Sequence, residues 1–503
     1  MGISLRTLLA ADAAVTGIPA DGDGVGNAEV VSVTADSRDV APGVVFAALP
    51  GSRFDGARFI PDAVAKGAAA ILTTCDAEIG NCDVPVFRSP DARRTLALMA
   101  ARLYGQQPET VVAVTGTSGK TSVADFARQI FTALGRQAAS IGTIGVVKPD
   151  GGVYGSLTTP DPVTLHRLLA GLAGEGVTHL AFEASSHGLD QRRLDGVRLR
   201  AAGFTNLGRD HLDYHATAED YFDAKLRLFD TLLPADGVVV VNMDDGHAGQ
   251  VVERAVSRGL RVLGIGQVNN TEADAGVRPD VRDGLVFSIR GGDGFTQQAA
   301  FVFDGQEYSA RLDLIGAYQV SNVSVAAGLA IAAGEDPGAV FKTLSSMRGV
   351  KGRLEVAGRA NGAPVVIDYA HKPDALDAAL RALRPFVSGR LVCVFGCGGD
   401  RDRGKRPLMG GIASALADVV IVTDDNPRTE DAVSIRREIL TGAADAREIG
   451  DRQDAIAEAI GLAREGDVVL IAGKGHETGQ IIGDKVMPFS DHEAVAIALK
   501  ARA

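Results

Sequence analysis

Seven consecutive residues, Gly116-Thr117-Ser118-Gly119-Lys120-Thr121-Ser122, have the types needed to cradle a polyphosphate. Glycines let backbone amides turn toward anionic oxygens, and a helix starting at this point adds partial positive charge. Lys120 can reach the outer phosphates, and the Thr121 hydroxyl can ligate magnesium. The loop is a short variant of the G-x-x-x-x-G-K-[ST] pattern, because Val114 and Thr115 precede its first glycine. ATPases, kinases, GTPases and ligases all use such cradles, so the loop alone leaves the reaction open. The absence of an Asn-Lys-x-Asp guanine-reading motif argues against a GTPase switch.

Other residues could bring a cation to the loop. Glu183 opens Glu183-Ala184-Ser185-Ser186-His187-Gly188, and His211 lies in the polar run from Asn206 to His215. A zinc hydrolase is the competing metal reading, but no H-x-x-x-H helix or third tight ligand supports it. Lone histidines are usually structural, so His187 and His215 receive no role. Lys225 falls on the apolar stripe Phe222, Phe229, Leu232 of a helix expected over residues 218–233. It either snorkels or is a buried neutral amine open to modification or catalysis.

The elements that must position these residues separate into three regions. The first, to about residue 90, has short β-like stretches such as 44–49, a helical run over 60–70, and then a helix over 91–104. The second opens with the buried-strand pattern Val111 to Thr115. Its following helix carries Val123, Phe126, Ala127, Ile130, Phe131 and Leu134 at helical spacing, and strands are expected at 180–182 and 238–241. A small inserted sheet is expected between 271 and 314, before a helix over 321–333. The third has strands at 365–367, 391–395, 419–422 and 468–471 separated by helices, a doubly wound parallel sheet. Each of those strands ends in polar or glycine-rich sequence: Asp368 to His371, Gly396 to Arg403, Asp424 to Arg428, and Gly473 to Glu477. Ligands bind outside the carboxyl ends of such strands.

The chain's length, 503 residues, implies several domains, and its net charge of −12 argues against general nucleic-acid binding. No apolar run reaches the roughly 20 residues of a membrane span, and no signal peptide is read. Cys75, Cys82, Cys393 and Cys397 lack zinc spacing, and the last pair reads as buried thiols of a reducing cytoplasm.

Taken together, these motifs, with Tyr221 to Phe229 and Gly396 to Met409, resemble the Mur ligase family over essentially the whole chain, and within it the members that add 2,6-diaminopimelate. The resemblance implies an α/β protein of three domains: an N-terminal UDP-binding domain (1–107), a central P-loop-type parallel-sheet ATP-binding domain (108–347) and a C-terminal Rossmann-like, amino-acid-binding domain (348–503). It implies ATP as substrate, Mg2+ as cofactor, a UDP-muramoyl dipeptide and diaminopimelate as partners, a cytoplasmic location and a monomer. Carried over residue by residue, Gly116 to Ser122, Asn322 and Arg353 would contact ATP. Ala35, Ser37, Ser52, Arg53 and Phe54 would contact the uridine or its phosphates, and Thr158, Thr159, Ser185, Gln191 and Arg193 the muramoyl substrate. Thr121, Glu183, His211 and a carbamylated Lys225 would form the metal site, with Lys120, Lys225 and His211 catalytic. Arg401, Asp425, Asn426, Pro427, Arg428, Gly473 and Glu477 would hold diaminopimelate. Arg428 marks enzymes accepting diaminopimelate, whose extra carboxylate suits a guanidinium fork.

The reaction so implied runs through an acyl phosphate attacked by an amine. Its proton acceptor is unnamed, although His211 could serve there instead of at the metal. Closure of the C-terminal domain is expected, with residues 348–352 as either hinge or static linker. A lysine-adding enzyme, a folate polyglutamate synthetase and a non-ligating nucleotide-binding regulator remain alternatives.

Overall fold

The computed structural model describes residues 2–17, 24–51, 55–151, 153–154, 159–208, 210, 214–268, 284–291 and 295–502. Ser52, Arg53, Phe54, Thr158 and His211 lie outside the described residues.

In the N-terminal region four parallel strands, Ser32–Thr34, Val44–Ala48, Ala70–Thr74 and Val86–Ser89, lie side by side in chain order. The helix Ala92–Tyr104 follows, its first turn capped by the Asp91 side chain. Its Leu96, Met99 and Ala100 bury against Val33, Val45, Leu72 and Phe87. The helix expected over 60–70 is shorter, Ile60–Ala65. It stops at Lys66 and Gly67, the latter at φ +86°, because the next apolar residues enter the strand Ala70–Thr74.

The central sheet has eleven strands. Its parallel core runs, in space, Ala138–Gly142, His179–Glu183, Thr110–Thr115, Ala201–Phe204, Val238–Asn242, Arg261–Gln267 and Leu285–Gly291. Helices Lys120–Ala133 and Ala317–Ala332 cover one face through Phe126, Ile130, Val320 and Val323. Leu165, Leu169, Phe222 and Phe229 cover the other. The expected separate small sheet is instead an extension of this one. Leu285–Gly291 pairs parallel with Arg261–Gln267, and Gln297–Phe303 and Gln306–Leu312 continue antiparallel. The extension follows from burial, since Leu285, Phe287, Phe301 and Leu312 share the apolar cluster of the 317–332 helix.

The third region is a six-stranded sheet ordered Glu355–Ala360, Ala363–Asp368, Val468–Ala472, Leu391–Phe395, Val419–Val422, Arg447–Glu448. All its pairings are parallel except the edge hairpin of the first two strands. Separate apolar clusters line its two faces, as a doubly wound sheet requires. Cys393 and Cys397 are buried, and burial pushes both thiols up to about 12, which leaves them protonated and unreactive.

His166, on the helix Pro162–Gly174, is 1% exposed and its Nε2 bonds the Asp195 carbonyl at 2.9 Å. Burial lowers its pKa from 6.5 to about 4. Between those values the unfolded chain binds a proton that the folded chain does not, so stability rises with pH across the window. The contribution is full above pH 6.5 and lost as pH falls to about 4, at about 3 kcal/mol from 1.36 kcal/mol per unit. His166→Gln is expected to flatten the fall in urea midpoint between pH 6.5 and 4. An unchanged slope would assign the acid sensitivity to other groups.

Candidate active site

The strand Thr110–Thr115 delivers the chain into the 116–119 loop, and the helix Lys120–Ala133 leaves from it. The helix N-cap is Gly119, which offers no side-chain acceptor to the first-turn amides, so these face the loop concavity. Gly116 (φ +147°) and Gly119 (φ +86°) are obligatory: a Cβ on the first would lie 1.9 Å from Thr205 Oγ1, and on the second 2.5 Å from Asn322 Oδ1. The loop is fixed to the neighbouring strand end. The Thr117 and Ser118 amides donate to the Asn206 carbonyl (2.8 Å) and side chain (2.9 Å), and Thr205 Oγ1 donates to the Ser118 carbonyl at 2.7 Å. Asn322 is buried beside Gly119, with its amide donating to Gln319 Oε1 at 2.9 Å.

Two lysines converge on one carbonyl. Lys120 Nζ and Lys225 Nζ each donate to Gly116 O at 2.8 Å, and Lys225 also lies 4.3 Å over the Tyr221 ring. Lys225 is 1% exposed, so it does not snorkel. Burial first, then repulsion from Lys120, drives its pKa far down, and burial also lowers Lys120 to about 8. The Lys225 shift is toward the neutral amine, which is the nucleophilic form.

Glu183 ends its strand 1% exposed, accepting from the Thr143 amide (2.7 Å) and hydroxyl (3.1 Å). Thr121 Oγ1 accepts from Arg353 Nη2 at 3.0 Å, and the Arg353 guanidinium stacks 4.5 Å over Tyr369. Among the described residues no group of three or more His, Cys, Asp and Glu side chains is arranged to hold a metal. Magnesium fits this donor set nonetheless. It binds through one or two protein oxygens plus substrate phosphates and water, and Thr121 and Glu183 are of that kind.

Four of the expected muramoyl contacts come together. Thr159 Oγ1 bonds Ser185 Oγ at 2.9 Å, Arg193 Nη1 donates to Thr159 O at 2.6 Å, and Arg193 Nη2 donates to Gln191 Oε1 at 2.7 Å. Ser185 also caps the helix Ser186–Asp190. In the N-terminal region Ala35 precedes the turn Ser37–Asp39, where Lys66 Nζ donates to Ser37 O at 2.6 Å. The Arg38 side chain holds Asp36 down at about 2.

At the carboxyl edge of the third sheet, Asp425 and Asn426 are buried, and Arg428 sits in the left-handed region at φ +52°. Arg428 Nη1 donates to Gly399 O at 2.8 Å, and Asn426 Nδ2 donates to Glu477 Oε2 at 3.0 Å. Arg401 lies on the 396–403 loop of the same edge, and Gly473 follows the strand Val468–Ala472. Asp368, raised to about 6 by burial, accepts from the Leu354 and Ala370 amides at 2.7 Å each.

Several contributors escaped sequence reasoning. The hairpin Gly479–Ile482 and Lys485–Pro488 braces the 425–428 segment: Arg428 N donates to Ile481 O (3.0 Å), Gly483 N to Arg428 O (2.7 Å), and Gln480 Nε2 to Asp425 O (2.7 Å). Lys372 forms an ion pair with Asp210, joining the third region to the central one as the Arg353–Thr121 contact does. Lys474 is wholly buried among the residues expected to hold the amino acid. The hairpin could have been found from Gly483-Asp484 between two extended runs.

Three family models match the chain: Mur ligase family, catalytic domain, over residues 29–104; Mur ligase middle domain over 114–330; and Mur ligase, glutamate ligase domain over 352–475. The chain is 55% identical over 500 residues to the UDP-N-acetylmuramoyl-L-alanyl-D-glutamate–2,6-diaminopimelate ligase of Bradyrhizobium diazoefficiens, covering 99% of this chain and 100% of that one. It is 52% identical over 469 residues to the enzyme of the same name from Caulobacter vibrioides, covering 92% and 94%. A solved structure of a ligase of that name superposes with a TM-score of 0.69 at 33% identity, covering 100% of this chain and 99% of its own. A folylpolyglutamate synthase from Mycobacterium tuberculosis, 20% identical, shares the fold over 76% of this chain at a TM-score of 0.60. With its polyphosphate loop, its three α/β regions and these matches from end to end, the chain belongs to the Mur ligase family of ATP-dependent, peptide-bond-forming ligases.

Proposed function

We propose that the protein joins diaminopimelate to UDP-N-acetylmuramoyl-L-alanyl-D-glutamate at the expense of ATP, in the cytoplasmic assembly of peptidoglycan precursors on which cell shape and division depend. The observation that carries the reading is Arg428. It is a guanidinium set among the Gly399 and Asn426 carbonyls at the strand ends of the third sheet, next to an Asn426 whose side chain bonds Glu477. A guanidinium fork suits the carboxylate that distinguishes diaminopimelate from lysine. The relatives of that name, at 52–55% identity, support the same choice.

The domains divide at about residues 107 and 347. Ala35, Ser37 and residues 52–54 take the uridine end of the acceptor. Thr158, Thr159, Ser185, Gln191 and Arg193 take its muramoyl peptide. Residues 116–122, with Asn322 and Arg353, take ATP. A carboxylate oxygen of the D-glutamyl unit attacks the γ-phosphorus, the bond from that phosphorus to the ADP oxygen breaks, and ADP leaves. Lys120 and the loop amides balance the charge of the transferring group. The diaminopimelate amine, held by Arg401, residues 425–428, Gly473 and Glu477, then attacks the acyl carbon. The carbon–oxygen bond to phosphate breaks and the nitrogen gives up a proton. Magnesium, held by Thr121, Glu183, His211 and a carbamylated Lys225, would add charge neutralisation at the phosphates when bound. The Lys372–Asp210 and Arg353–Thr121 contacts support an arrangement in which the third domain closes over the loop and keeps water from the acyl phosphate. The enzyme acts as a monomer.

Phosphate release with ATP, magnesium and the UDP-muramoyl dipeptide is the direct test. It is expected to require diaminopimelate and to be weak with L-lysine. Equal release with lysine would keep the ligase and remove the specificity assignment. Release independent of any amino acid would favour a nucleotide-driven regulator. For Lys225, the intact mass of the bicarbonate-equilibrated enzyme is expected to include a carbamate. Full activity with a bare amine would overturn that role.

A further inference from the structure

Lys474 is a lysine in the interior with a fully covered side chain, and the mechanism above gives it no task. Its Nζ donates to Asn426 Oδ1 at 3.0 Å and to Glu477 Oε2 at 3.1 Å, and lies 3.5 Å from Asp425 Oδ1. Three residues assigned to amino-acid binding thus meet on one ammonium group.

The geometry points to Lys474 as a positioning residue for the amino-acid pocket, fixing the orientation of Asn426 and Glu477 and holding the Glu477 and Asp425 carboxylates together against mutual repulsion. This deepens the proposed function and rests on its assignment of diaminopimelate to this edge. An Asn side chain can be flipped without changing its shape, and here its direction is decided by its partners. Oδ1 accepts from both Lys474 Nζ and the Ile481 amide (2.9 Å), so Nδ2 must turn to Glu477 Oε2. With Oε2 occupied by Lys474 and Asn426, the other Glu477 oxygen meets, among the described residues, only the Tyr369 hydroxyl, at 3.4 Å. That oxygen is the acceptor left for a ligand, and the Glu477 side chain retains 30% exposure.

The charge count leads to the same place. Asp425 and Glu477 carry two negative charges and Lys474 one positive, while the adjacent Arg452–Asp491 pair, bonded at 2.7 and 2.8 Å and fully buried, cancels itself. Among these five side chains one net negative charge remains, and Arg428 Nη1 reaches the Asn426 carbonyl at 3.5 Å. Together they match the ammonium and carboxylate of an amino-acid terminus. Without Lys474 the two acids would stand unbalanced in a poorly solvated place, where they would repel and rotate apart.

The test compares Lys474→Met with wild type in steady-state phosphate release, varying each substrate in turn. A lost charge-assisted hydrogen-bond network predicts a rise of about 10–100-fold in KM for diaminopimelate. KM for ATP and for the UDP-muramoyl dipeptide, and kcat at saturation, should stay within about threefold, since the affected bonds lie only in the amino-acid pocket. Adding Asp425→Asn to Lys474→Met restores the charge count and is expected to recover part of the lost diaminopimelate KM. If Lys474→Met melts far below wild type, Lys474→Gln, which keeps an amide donor for Asn426 without the charge, carries the same expectation. An unchanged diaminopimelate KM in the better-folded variant, or equal rises for all three substrates, would overturn the assignment. Those outcomes concern Lys474 alone when the wild type requires diaminopimelate. A wild type with no such requirement would instead remove the proposed function.

Discussion

Lys120→Met is expected to lower kcat for phosphate release by about 10³-fold while leaving the folded protein at least as stable as wild type. The Lys120 ammonium bonds the carbonyls of Gly116 (2.8 Å) and Thr117 (3.0 Å), which places it at the mouth of the loop it belongs to. Its environment works against the charge: burial lowers the pKa from 10.5 to about 8, with Glu183 and Asp210 partly compensating. A lysine bound less tightly to its proton when folded makes the fold less stable below about pH 8 than above 10.5, by at most about 3 kcal/mol. The true cost is smaller, because the residue keeps some contact with solvent. A polyphosphate reverses the balance by supplying negative charge, and most of it develops as the phosphoryl group transfers. Removing the ammonium therefore relieves a cost at rest and withdraws stabilisation at the barrier, where one such donor is worth about 10²–10³-fold, or more when it is a full charge. Melting temperature and kcat measured on one preparation check both halves. Activity within about tenfold of wild type would show that the loop amides and magnesium suffice.

The legible parts of this molecule are those written in short stretches of chain. The strand–glycine–helix order around Gly116 and the apolar strands of the third sheet follow from local periodicity, and the structure has them. The same periodicity puts Lys225 on an apolar stripe but leaves snorkelling and burial open, and the structure decides for burial. What was not legible depends on partners far away. Residues 271–314 read as an inserted small sheet because strand patterns name no neighbours; the shared core with the 317–332 helix makes the described strands among them part of the central sheet. The 60–70 run read as one helix because Ala68 and Ala70 continue its apolar character, whereas the chain turns at Gly67 and enters a strand at Ala70. Lys474 stands between two residues that motif reading selected, Gly473 and Glu477, yet its partners Asp425 and Asn426 lie 49 and 48 positions earlier. Nothing within a window of the sequence marks a lysine as buried when its counter-charges arrive from another strand end. The same is true of Lys372 with Asp210 and of Arg353 with Thr121, separated by 162 and 232 residues.

Arg428→Ala is expected to raise KM for diaminopimelate by about 10²–10³-fold and to bring the preference over L-lysine close to unity. The backbone around Arg428 is held for this side chain. A non-glycine residue at φ +52° is uncommon, and here it is maintained by its amide donating to Ile481 O on the Gly479–Ile482 strand and its carbonyl accepting from Gly483 N in the hairpin turn. The guanidinium is met by carbonyls, Gly399 O at 2.8 Å and Asn426 O at 3.5 Å. Carbonyls orient a guanidinium without neutralising it, and the nearby Asp400 carboxylate is bonded to Thr429, which suits Arg428 to an incoming carboxylate. Leaving a partly buried carboxylate without its cation costs about 3–5 kcal/mol, which sets the size of the expected effect. Arg428→Lys separates charge from shape. A point charge keeps attraction but loses the fork, so its KM should fall between those of wild type and the alanine variant. Lysine as substrate lacks the carboxylate and should be nearly indifferent to either change, and that makes the ratio of the two substrates the informative readout. If both substrates weaken equally, Arg428 braces the strand end instead of reading the ligand. If neither weakens, the distal carboxylate must be read by Arg401 on the adjoining loop.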